Sequence, residues 1–140
     1  MNSQQLNAIQ YKILDKSAEL KTALGGGIYK GGFRPTDSIK DDICVNVLAL
    51  TDRSPYVAIG NINVYVADQK QTIYGNENNV PNYSRLSQLS DLVEEALKIV
   101  LTDPEFENIG YNVLESKDYQ NEGNKRPEHY QNIRVQYIIS

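Results

Sequence analysis

The sequence is short of most of what catalysis draws on. It holds one cysteine, Cys44, one histidine, His129, and no tryptophan. A lone cysteine forms no internal disulfide, so no disulfide framework holds the fold, and a reducing compartment fits. Cys44 lies inside an alternating apolar run, where a small buried hydrophobe is expected rather than a reactive thiol. His129 stands among Lys125, Arg126 and Glu128 and reads as a solvated side chain of a charged connection. The two are far apart in sequence, and no Cys-His dyad is indicated. No apolar run approaches the ~20 residues of a spanning helix. The opening MNSQQLNAIQYK has no charged region followed by an apolar block, so no secretory signal is expected. A basic excess is missing too: fourteen Lys and Arg face eighteen Asp and Glu, for a formal charge of −4. That balance opposes wrapping nucleic acid through many phosphate contacts, yet suits a surface past which DNA slides without adhering.

What is present describes one soluble domain over residues 1–140, since 140 residues with 40% hydrophobic and 23% charged content supply one core. The chain is organised around Asp41 to Asp68. Ile43, Val45, Val47 and Ala49 share one face of a period-two pattern, opposite Cys44, Asn46, Leu48 and Leu50. Ile62, Val64 and Val66 then alternate with Asn61, Asn63 and Tyr65. With a polar TDRSPY link between them, the two runs predict an antiparallel hairpin whose Ile62, Val64 and Val66 face a core. Gly60 inside the second run predicts a bulge or a close backbone approach.

An amphipathic helix is expected before this hairpin. Leu6, Ile9, Ile13, Leu20 and Leu24 form its stripe, Asn2 or Ser3 its cap and Gly25 to Gly27 its stop. The glycines follow a helix and precede the extended Ile28 and Tyr29, which is the wrong context for a phosphate loop. A second helix runs through Leu86, Leu89, Leu92 or Val93, Ala96, Leu97 and Val100, with Ser84 or Ser87 as cap. Two closing strands are expected at 109–117 and 132–140. The predicted class is α+β, an antiparallel sheet with two amphipathic helices on one face in the order α-β-ββ-α-ββ, with long polar loops at about 68–83 and 118–128.

No cofactor or metal motif is found. Asp37, Asp41 and Asp42 are the densest carboxylates, but they lack the spacing and glycine of a calcium loop and are expected to solvate a strand start. Ten tyrosines against two phenylalanines is an unusual aromatic balance. Tyrosine suits half-buried surfaces, including protein interfaces, so Tyr29, Phe33, Arg34, Tyr74, Asn79, Tyr83, Tyr119 and Tyr130 are the candidate subunit or partner contacts.

The run GGGIYKGGFRPTDSIKDDICVNVLAL, then GNINVYVAD, a helix beginning SRLSQLSDLVEEAL and the closing HYQNIRVQYIIS resemble small tail-completion (tail terminator) and head-tail joining proteins of tailed bacteriophages and prophages. The resemblance lies in the succession of helix, glycine-rich exit, Ile-Tyr strand, Arg-Pro turn, acidic lead into a hairpin, second helix and terminal strand. It implies a non-enzymatic virion protein that forms a ring, hexameric in tail terminators, at the neck or head-proximal tail end. Its partners would be its own copies and neighbouring neck or tail proteins, with DNA passing through the lumen and no membrane involved. A small cytosolic protein-binding or adaptor module without catalysis is the alternative.

Overall fold

A computed structural model describes residues 1–140. Helix α1, Ser3–Asp15, starts at Asn2, whose side chain accepts from the Gln5 N–H while the Gln5 side chain accepts from the Asn2 N–H. The stripe expected to form one helix is split into two. Ser17 is extended, and its Oγ accepts from the Leu20 N–H, so it caps a separate helix α2, Ala18–Leu24. The polar residue that interrupts the stripe is thus the point at which the axis changes.

Strand β1, Ile28–Lys30, pairs parallel with β2, Asp42–Leu50. This corrects the purely antiparallel sheet: residues 31–41 carry the chain back to the end from which β1 set out, which is what a parallel neighbour requires. β2 pairs antiparallel with β3, Tyr56–Ala67, as the alternation predicts. Strands β4, Gln69–Ile73, and β5, Asn76–Val80, form a separate two-stranded sheet. Helix α3, Tyr83–Leu97, follows, capped by Asn82 rather than Ser84 or Ser87. Strands β6, Ile109–Asn121, and β7, Glu128–Ile139, complete a mixed five-stranded sheet in the order β1-β2-β3-β7-β6. The fold is α+β, with three helices where two were expected and the element order α-α-β-β-β-β-β-α-β-β. Both long loops are also corrected. The first is mostly the β4–β5 hairpin, and the second shrinks to residues 122–127 because β6 and β7 run on past the expected ends.

One cluster of 22 buried residues joins the helices to a single sheet face. Ile43 and Val45 of β2, Ile62, Val64 and Val66 of β3, and Ile133, Val135, Tyr137 and Ile139 of β7 are all buried there, so the predicted register holds. Gly60 is a close approach: a Cβ would collide with the Gln10 side chain of α1. Gln10 is buried, donates from Nε2 to the Asn46 carbonyl at 2.9 Å and accepts from the Tyr137 hydroxyl at 2.9 Å. Its amide is thereby paired on both sides, as burial demands.

The bulge falls on β2, opposite Gly60, between Val47 and Ala49. It places Leu48 and Ala49 together on the side away from the helices and returns Leu50 to the core, correcting the strict alternation that put Ala49 beside Val47. A second bulge, between Val113 and Glu115 of β6, leaves Leu114 exposed.

Candidate functional site

Two features have no role in the core: the β4–β5 hairpin, here the arm, and the charged cluster at its root. The arm turns through Tyr74 and Gly75, both left-handed at φ 51° and 79°. Two such residues give the tight turn whose twist matches antiparallel strands. Its strands are QKQTI and NENNV, and every residue from Gln69 to Asn79 is exposed. Lys70 and Glu77 pair diagonally at 3.2 Å, both well solvated, so the pair adds well under ~1 kcal/mol. A two-stranded hairpin with no buried face is marginal in water.

The root is the opposite case. Asp42 is fully buried and accepts from the Gly27 N–H at 2.8 Å, Ser38 Oγ at 2.6 Å and Arg34 Nε at 3.0 Å. Glu128, also buried, takes both Arg34 Nη groups at 2.8 and 3.0 Å, Arg126 Nε at 2.8 Å, and the amides of Asn121 and Asn124 at 2.8 and 2.7 Å. Asp41 accepts from Arg85 and Arg126, each at 3.2 Å. Arg126 also donates to the carbonyls of Ile39 and Lys40, and Arg85 to those of Ala23 and Leu24 at the end of α2. Three arginines thus balance three carboxylates.

Burial alone would raise the Glu128 carboxyl, but the donated bonds, Arg34's first, outweigh it and hold the group at about 2. The same carboxylates push Arg34 further up despite its own burial. Cys44 is buried nearby, and that burial moves its thiol up to about 11. With every carboxylate taken up in ion pairs and backbone contacts, the cluster is a clamp. It ties the end of α2, residues 34–42, the start of α3 and the β6–β7 turn to one point.

Asp68 is the single residue between β3 and the arm. Its Oδ1 lies 2.6 Å from His129 Nδ1, and its N–H donates to the Pro127 carbonyl. His129 is therefore a strand residue paired at the arm's root, correcting the solvated loop histidine. Asp41 and Asp42 are corrected likewise: both are held in ion pairs, Asp42 buried and Asp41 half-buried, while Asp37 meets Lys125 at 3.4 Å on the surface.

Of the eight candidate contacts, Tyr74, at the arm tip, is fully exposed, Asn79 is exposed on β5, and Phe33 and Tyr83 are also exposed. Tyr29 is half-buried on β1. Tyr119 and Tyr130 stack at 5.5 Å on the helix-free sheet face, and Tyr65 extends the row at 5.2 Å from Tyr130. Arg34 lies over the Tyr65 ring at 4.2 Å, so it is spent inside the cluster and is not a free contact. Nothing in the sequence brings Tyr65, Glu128, Arg85 and Arg126 together at this site. Their partners lie as far as 94 residues away, and no local pattern announces them. Compared with models of known protein families the chain matches none, and no curated protein matches it.

Proposed function

We propose that the protein is a structural subunit that assembles with its own copies through the arm. On the resemblance of its sequence, the product is a ring of the kind formed by tail terminators or head-tail joining proteins of tailed phages, placed at the neck or head-proximal tail end of a virion. The observation that carries this reading is the arm. Its twelve residues, 69–80, bury no apolar face of their own, although ordering them costs roughly 1–2 kcal/mol of backbone entropy per residue. A neighbouring subunit would supply the missing contacts. A head-to-tail contact that closes makes a ring, and a formal charge of −4 suits a lumen through which DNA passes without adhering.

Removing Lys70 to Asn79, so that Gln69 and Val80 meet across a short link, tests the reading by light scattering coupled to gel filtration. The shortened protein is expected to fold and stay monomeric at concentrations where the intact protein assembles. Normal assembly by the shortened protein would reduce the arm to a surface excursion.

A further inference from the structure

The helix-free face of the main sheet is divided. Toward the arm it carries Asn61, Asn63, Asn132 and Arg134 in a hydrogen-bonded ladder, with Asn132 bonded to Asn61 and Asn63 at 3.2 and 2.7 Å. Toward the other end it carries an apolar group, Leu48 and Ala49 at the bulge, Ile59 opposite them and the directly paired Val57 and Ile138, bordered by Gln136, the β7 partner of Ile59. Leu48, Val57 and Ile138 are 55%, 37% and 49% exposed. Adjoining apolar residues on three neighbouring strands, with no layer over them, mark a contact surface. The arm tip is the matching apolar element, with Ile73 41% and Tyr74 100% exposed and no charge between Ile73 and Asn76.

Within one molecule the two cannot meet. The arm leaves at Asp68, and its five-residue strands reach about 17 Å at ~3.3 Å per residue. Ile59 and Val57 lie eight and ten strand residues from Ala67, about 26–33 Å back along β3. Tyr74 at the tip is also fully exposed, so the tip does not fold back onto its own sheet.

We infer that the arm tip of one copy seats Ile73 and Tyr74 on the Leu48, Val57, Ile59 and Ile138 surface of the next. This rests on the assembly reading above and adds the surface that receives the arm. The two surfaces differ, so each copy gives one contact and receives one. Area makes closure necessary. A stable interface uses about 20–30 residues a side, and the arm has twelve. An open pair held by one arm is therefore weak, while a closed ring secures every copy twice.

The test uses the full chain with Cys44→Ala, so that only introduced thiols react. Tyr74→Cys combined with Leu48→Cys is expected to give, on mild oxidation, an intermolecular ladder ending in a closed species, whereas either change alone gives no ladder. Ile138→Lys, at a half-exposed site, is expected to raise the concentration for half-assembly at least tenfold with the unfolding midpoint unchanged. Rings that form without the Tyr74–Leu48 cross-link would overturn this inference and leave the assembly reading standing. A dimer from Leu48→Cys alone would also overturn it, by showing that the surface pairs with itself. Wild-type protein that stays monomeric up to about millimolar concentration would sink both.

Discussion

The molecule contains two consecutive antiparallel hairpins that differ in almost everything except their backbone bonding. In β2–β3, alternate residues are buried against α1 and α3, and Ile43, Val45, Ile62 and Val64 have no exposed surface at all. In β4–β5 the ladder is equally regular, yet no side chain is buried. Because backbone hydrogen bonds replace bonds to water, each contributes only about 1 kcal/mol net. Burial therefore makes the first hairpin part of the core, and its lack leaves the second dependent on whatever it touches.

The largest effect is expected at Val64→Asp. A lone carboxylate in the core costs several kcal/mol against a total stability of about 5–15 kcal/mol. Circular dichroism should show an unfolded or aggregated protein; a cooperative urea transition would contradict the burial contrast. Next comes the clamp between the hairpins. Arg34→Ala strands Asp42 and part of Glu128 without their cation, and the unfolding free energy from urea titration should fall by about 3–5 kcal/mol. A loss below ~1 kcal/mol would mean that the cluster is ornament.

Acid should act on the same point. Glu128 is depressed from an ordinary 4.5 to about 2, so its contribution is complete above pH 4.5 and is lost as the pH falls through about 2. Between those limits Glu128→Gln should flatten the decline of stability with acid, although it starts lower at neutral pH. An unchanged slope would show that other carboxylates carry the acid response.

Smaller still is His129→Ala, at about 1 kcal/mol from one lost hydrogen bond. It should speed amide exchange in residues 69–80 while leaving that of β2–β3 unaltered; equal changes in both would deny Asp68–His129 a special hold on the arm. The smallest effect is at Lys70→Ala, where an exposed ion pair is removed. Stability should move by less than about 0.5 kcal/mol, and a larger loss would mean that the arm is held by its own charges.

The sequence by itself determined what depends on neighbours a few residues apart. The alternation in β2 as far as Val47 and in β3, the stripe of α3, a cap at Asn2 or Ser3 and a bulge or close approach at Gly60 all follow from local periodicity and residue shape. So does the polar character of residues 68–83, since runs rich in asparagine find no core. Tertiary structure alone decided the rest. The parallel pairing of β1 depends on where residues 31–41 return, and the bulge at Leu48 on how β2 registers against β3. The clamp joins Arg34 to Glu128 across 94 residues and Arg85 to Asp41 across 44. In the sequence an aspartate at a strand start looks solvated, because solvation is the cheapest fate of a charge. Only the fold, by bringing three guanidinium groups to one point, makes burial of those carboxylates the lower-energy arrangement.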